Sequence, residues 1–220
     1  MLSVAMAKPV ARYRHQLPAV FYSRLRLKIG LVGGSFNPAH DGHIHVAKEA
    51  RQQLGLDQIW WLVSPQNPLK SKLDMAPLKK RLADARVIAA PYPFLKVVAP
   101  ESDLPSNYTY NTLKYMVKKI PLGRLVWVMG ADNLDDFALW HRYRDMTRLL
   151  PIAVIDRPGY SMRAIAAGRR LLGRRNKVTK MRHALVTRSV NLPSWCFIAG
   201  QRNMASATEI RAQTQDCTCQ

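Results

Sequence analysis

From Leu27 onward, short apolar runs alternate with longer segments of helical periodicity, and this alternation narrows the fold more than any other feature of the chain. The runs cover 27–32, 59–63, 95–98, 125–129, 152–155 and 195–199. They are short and rich in Val, Ile, Leu and Trp, as expected of strands buried on both faces. Helical patterns fall at 42–54, 76–90 (with Pro77 near its first turn), 108–119, in short pieces over 133–150, at 161–172 and from 206. Strands separated by helices pair in parallel through right-handed crossovers. The expected fold class is therefore α/β, a Rossmann-like, doubly wound parallel sheet with flanking helices. The basic stretch 173–190 resists assignment, and no internal repeat is visible. The folded unit is expected over 27–213. A basic, flexible arm (1–26) would precede it and a polar tail (214–220) would follow.

The first strand runs into Gly33-Gly34-Ser35-Phe36-Asn37-Pro38-Ala39-His40-Asp41-Gly42-His43. This is a strand-to-helix turn, where backbone N–H groups and a helix dipole face the ligand crevice of an open sheet. Two glycines allow close approach of a ligand to the backbone. His40 and His43 fall beside the first helical turn, where imidazoles suit phosphate oxygens and can neutralise charge during phosphoryl transfer. The spacing fits neither of the common glycine-rich nucleotide loops. The pair is expected to face solvent.

Four further segments follow strand ends. Ser64 to Lys70 is a proline-stiffened loop in which Lys70, with Lys72 nearby, offers a cation for a phosphate. Tyr108-Thr109 opens a helix whose N–H groups could hold an anion. The alternative there is plain capping by Ser106 or Asn107. Gly130-Ala131-Asp132 places a carboxylate where ribose hydroxyls bind in dinucleotide sites. Beyond it, Trp140 offers a flat ring or a core contact, and Phe137 belongs to the core. Arg157-Pro158-Gly159 makes a turn whose arginine could face the nucleotide. Last, Ser206 and Glu209 form a capping box, and with Thr208 and Arg211 the helix start makes a cradle for a triphosphate.

Together these segments resemble the nucleotidylyltransferase superfamily. Gly34 to His43 is similar to its GxFxPxHxGH signature, and Ser206 to Arg211 to its Ser-Ser/Thr-Thr-x-Ile-Arg motif, with Ala207 in place of a second hydroxyl. The middle segments resemble the bacterial nicotinate mononucleotide adenylyltransferases. The resemblance implies ATP contacts from Gly33, Gly34, Ser35, Phe36, His40, His43, Gly130, Asp132, Arg157, Ser206, Thr208 and Arg211. It implies mononucleotide contacts from Asn37, Lys70, Tyr108, Thr109 and Trp140. His40, His43, Lys70 and Arg211 would carry catalysis. No metal-ligating residues are expected; Mg²⁺ would be bound mainly through substrate phosphates. The implied reaction joins ATP and nicotinate mononucleotide to give deamido-NAD and pyrophosphate. Nicotinamide mononucleotide and phosphopantetheine remain as alternative acceptors.

Charge bears on a rival from another class. The chain carries 34 Lys and Arg against 14 Asp and Glu, a net charge of +20, with no acidic residue before Asp41 or between Asp156 and Glu209. Arg163, Arg169, Arg170, Arg174, Arg175, Lys177, Lys180, Arg182 and Arg188 crowd that second interval. Such charge suits a basic RNA-associated protein, polyanionic small substrates or simply a solvated surface. No nucleic-acid-binding module accompanies it, so no stable nucleic-acid complex is expected. No apolar run approaches the length of a membrane span. Three cysteines, with Cys196 in an apolar run and Cys217 and Cys219 in a polar tail, argue for reduced thiols and a cytoplasmic setting. The arginine-rich arm superficially suggests a mitochondrial address, and Met6 is a second possible start. Association into a homo-oligomer is left open.

Overall fold

A computed structural model describes residues 27–65, 75–99, 108–120 and 124–200. Its core is one six-stranded sheet in the order β3-β2-β1-β4-β5-β6, formed by β1 (Ile29–Gly34), β2 (Gln58–Val63), β3 (Leu95–Val98), β4 (Leu125–Gly130), β5 (Ile152–Ile155) and β6 (Trp195–Ile198). Every pairing is parallel. The order reverses between β1 and β4, so a crevice opens there beyond the carboxyl ends of the strands.

The strands are apolar at successive positions because both faces are covered. In β2, Trp61 packs in a first layer on one side of the sheet and Trp60 in a second layer on the other. In β4, Val126 and Val128 join the first layer, while Leu125, Trp127 and Met129 join the second. The helices α1 (Asp41–Leu54), α2 (Leu78–Ala89) and α7 (Val178–Thr187) contribute to the first layer. The second is built with α3 (Thr109–Lys119), α5 (Tyr143–Leu149) and α6 (Ser161–Leu172). A short α4 (Asn133–Asp136) and a 3-10 turn (Phe137–Leu139) follow β4. Trp60, Trp61, Trp127 and Trp195 are almost fully buried. An indole of this size brings about 150–250 Å² out of water, so these four anchor both layers.

The expected elements that fall within the described residues are present, with three differences. β1 extends through Gly33 and Gly34, which pair with Leu62 and Val63; the ladder to β2 carries the glycines past the point where side-chain pattern stops signalling strand. The basic stretch contains α7, whose Met181 and Leu185 are buried against α1 and the sheet. Lys180, Arg182 and His183 interrupt that helix and mask its short apolar stripe. Pro77 is the N-cap of α2, one position ahead of the helix proper. Lys70, Lys72, Ser106, Asn107 and the segment from 206 lie outside the described residues, as do the arm 1–26, Cys217 and Cys219. No helix among the described residues is long and apolar enough to cross a membrane.

Candidate active site

The turn after β1 is held by a capping box made of two imidazoles. His40 is the N-cap of α1, and its Nδ1 accepts the Gly42 N–H at 3.1 Å. His43, three positions into the helix, accepts the His40 N–H on its own Nδ1 at 3.2 Å. Both Nδ1 atoms serve as acceptors, so each neutral ring carries its proton on Nε2 and offers it as a donor. The two rings lie 3.9 Å apart between centroids.

The pair does not simply face solvent, as the sequence led one to expect. His40 is 6% exposed. His43 is half-buried, with its ring 4.7 Å from Phe36 and edge-on to Trp61 at 6.0 Å. Phe36 stacks on Trp61 at 5.0 Å and is itself buried, so its ring forms the floor of the turn. It reaches that position with φ at 47°, a left-handed conformation that costs a bulky residue about 1–3 kcal/mol and persists because packing over-determines it. Burial, helped by the nearby charge of Arg157, lowers the His40 pKa from 6.5 to about 4; Asp41 and Asp132 pull the other way. His40 is thus neutral at pH 7, a hydrogen-bond donor that brings no cationic charge.

A cleft of about 210 Å³ opens over this turn at the reversal between β1 and β4. Gly33, Gly34, Ser35, Phe36, Asn37, His40 and His43 line one wall. Met129, Gly130, Asp132, Asn133 and Arg157 line the other. Arg157 Nε stands 3.7 Å from Asp132 Oδ1, and Asn133 donates to the same oxygen at 3.3 Å. Gly130 is what makes room for this pair: a Cβ there would run into the Asp132 carboxylate and crowd Arg157 Nε.

The structure therefore brings together ten of the expected positions, Gly33 through Asn37, His40, His43, Gly130, Asp132 and Arg157, around one cleft. Tyr108, Thr109 and Trp140 stand outside it but form a second neighbourhood. Tyr108 is the N-cap of α3 and stacks at 4.3 Å on His141, the residue after Trp140. Trp140 is half-buried and packs edge-on against Trp127 at 6.3 Å, so the core contact weighed from sequence is real, and part of the ring remains accessible. Phe137 is fully buried. Asn37 has an architectural contact as well: its Oδ1 accepts the Ala76 N–H at 3.2 Å. Lys70, Ser206, Thr208 and Arg211 lie outside the described residues. Cys196 is buried and its thiol is pushed up to about 12, which keeps it unreactive.

One residue of this region gave no signal as a site residue in the sequence. Arg81 of α2 is 1% exposed and donates to four backbone carbonyls around the mouth of the crevice. The one hint was an arginine on the same helix face as Leu82, Ala85 and Ala89, the buried face of α2.

Fold and site define a Rossmann-type nucleotidyltransferase, and the sequence profile of the cytidylyltransferase-like family matches residues 31–213, through the last motif. A protein of Methylorubrum extorquens, named "probable nicotinate-nucleotide adenylyltransferase", is 42% identical over 188 residues, spanning 85% of this chain and 100% of the relative. A Parvibaculum lavamentivorans protein of the same name is 43% identical over 186 residues, 84% of this chain and 91% of the relative. The chain belongs to the cytidylyltransferase-like family and, within it, to the nicotinate-nucleotide adenylyltransferases. Among solved structures, Plasmodium falciparum nicotinic acid mononucleotide adenylyltransferase complexed with NaAD shares the fold. Its TM-score is 0.61 at 17% identity, over 84% of this chain and 82% of that one.

Proposed function

We propose that the protein transfers the adenylyl group of ATP to nicotinate mononucleotide, releasing pyrophosphate and forming deamido-NAD. The observation that carries this reading is the double-imidazole cap over the crevice at the sheet reversal, with His40 neutral and both rings fixed as Nε2–H donors. The relatives' shared name supplies the acceptor.

In this reading the mononucleotide 5′-phosphate attacks the α-phosphorus of ATP and pyrophosphate leaves. The attacking oxygen is already ionised at neutral pH, so no general base and no covalent intermediate are needed. Catalysis is then positioning and charge neutralisation. His40 and His43 donate to phosphate oxygens from a turn that cannot pivot, because each Nδ1 is engaged in the cap. A neutral donor is well matched to this role, because it stabilises developing charge without holding pyrophosphate as an ion pair would. Asp132, steadied by Arg157 and Asn133, takes ribose hydroxyls, and Gly130 lets the adenosine reach the backbone. Lys70 and Arg211 hold phosphates. Among the described residues no three His, Cys, Asp or Glu side chains converge to cage a metal, and Asp132 is paired with Arg157. This donor set fits Mg²⁺ carried on the triphosphate, where it would supply charge neutralisation. The Tyr108–His141 stack and Trp140 favour a flat pyridine ring near the start of α3.

Pyrophosphate release with acid and amide mononucleotides in parallel, at saturating ATP and Mg²⁺, tests the reading. At least ten-fold higher kcat/KM is expected for the acid. Backbone N–H groups at a helix start donate to both oxygens of a carboxylate, whereas an amide turns one donor toward a donor, at about 1–3 kcal/mol for each group left unpaired. Equal efficiencies would indicate a dual-specificity enzyme. Absence of turnover with both, together with retention on RNA at moderate salt, would favour the RNA-associated alternative.

A further inference from the structure

Arg81 holds a position that folding alone does not call for. It sits on the buried face of α2, where Leu82, Ala85 and Ala89 are its neighbours, and it forms no ion pair among the described residues. A buried guanidinium in such a place is costly unless its donors are satisfied. Here they are satisfied by main-chain oxygens. Nε donates to Ala76 O at 2.8 Å, one terminal nitrogen to Ser35 O at 2.6 Å and Ser64 O at 2.7 Å, and the other to Pro65 O at 2.7 Å. Four of the five N–H donors of a guanidinium are thereby engaged.

The acceptors are not scattered. Ser35 follows β1 and lies in the wall of the cleft. Ser64 and Pro65 follow β2 at the same edge of the sheet, and Ala76 is the residue ahead of the α2 N-cap. Asn37 ties Ala76 to the turn a second time through its Oδ1. One planar side chain thus fastens the residue after β1 to the two residues after β2 and to the lead-in of α2.

The geometry points to Arg81 as a positioning residue for adenylyl transfer: its guanidinium fixes Ser35, in the cleft wall beside the histidine turn, against the residues that follow β2 and the lead-in of α2. This inference rests on the proposed reaction. Arg81 touches neither substrate; it acts through the backbone of its four acceptors. The histidine turn has its own capping box and the Phe36–Trp61 stack to hold it, whereas Asn37, expected on the mononucleotide side, is tied to Ala76, which Arg81 holds in turn. Loss of Arg81 should therefore weaken the acceptor side more than the ATP side.

The experiment compares Arg81→Lys and Arg81→Met with the wild-type enzyme, at a temperature where circular dichroism shows each variant folded. Lysine keeps the charge but lacks the planar fork; methionine removes both charge and donors while filling most of the volume. Misplacement of reacting groups by about 1 Å can cost on the order of 100-fold, so kcat/KM for nicotinate mononucleotide should fall about 10- to 100-fold. The KM for the mononucleotide should rise more than that for ATP, and amide hydrogen exchange at Ser64 and Ala76 should quicken while 125–130 stays unchanged. A folded variant with wild-type kinetic constants, or with unchanged exchange at those amides, would overturn the assignment. Failure of both variants to fold would also overturn it, by making Arg81 a folding determinant. If the wild-type enzyme itself released no pyrophosphate, the proposed reaction would fail, while the exchange measurement would still decide whether Arg81 organises these segments.

Discussion

Replacing His40 with asparagine removes an imidazole that the fold holds neutral while leaving a residue competent to cap α1. In the unfolded chain this imidazole takes up a proton near pH 6.5; in the folded protein it does so only near 4. As pH falls, the unfolded state gains its proton first, so stability present above pH 6.5 is lost between 6.5 and about 4. At 1.36 kcal/mol per pH unit the gap corresponds to about 3 kcal/mol. The ring lines an open cleft, and solvent screening reduces this to about 1–2 kcal/mol. Denaturant unfolding of both proteins at pH 7.5, 6, 5 and 4.5 measures it. The wild-type protein should lose about 1–2 kcal/mol more than His40→Asn across that range, with the difference growing as pH falls. Parallel curves would show that His40 titrates alike in both states, and the argument for a neutral donor at this position would collapse.

Three other substitutions probe the site. His43→Ala should lower turnover by at least the order of 100-fold, the usual result of removing one preorganised donor. Because His43 also accepts the His40 N–H, it should cost about 1 kcal/mol of stability; more than about half of wild-type turnover would refute the assignment. Trp140→Ala should raise KM for the mononucleotide about 5- to 150-fold, the value of losing a stacking face, and leave KM for ATP nearly unchanged. Flat KM values with a lower Tm would make Trp140 purely a core residue beside Trp127. Gly130→Ala drives a methyl group into the Asp132 carboxylate and should raise KM for ATP about ten-fold, as overpacking costs about 1–3 kcal/mol; an unchanged KM would mean that the Asp132–Arg157 pair does not meet the nucleotide.

Local pattern along the chain was enough to place the sheet and its crevice. Apolar runs with both faces buried, set between helical patterns, leave little choice but a parallel sheet, and the turn that ends in His40 and His43 must then lie at a strand's carboxyl end. These are local signals, read from neighbours within a turn or a strand. Even the capping box joins residues only three positions apart, so His40 and His43 were visible as a helix start. What surrounds them emerged only from the folded chain. The floor of Phe36 and Trp61, the half-buried state of His43 and the low pKa of His40 all depend on chain segments far away in sequence. Arg81 shows the limit most clearly: its acceptors lie 5, 16, 17 and 46 residues away. Main-chain carbonyls carry no sequence identity, so no pattern of side chains could announce which ones a buried guanidinium would find.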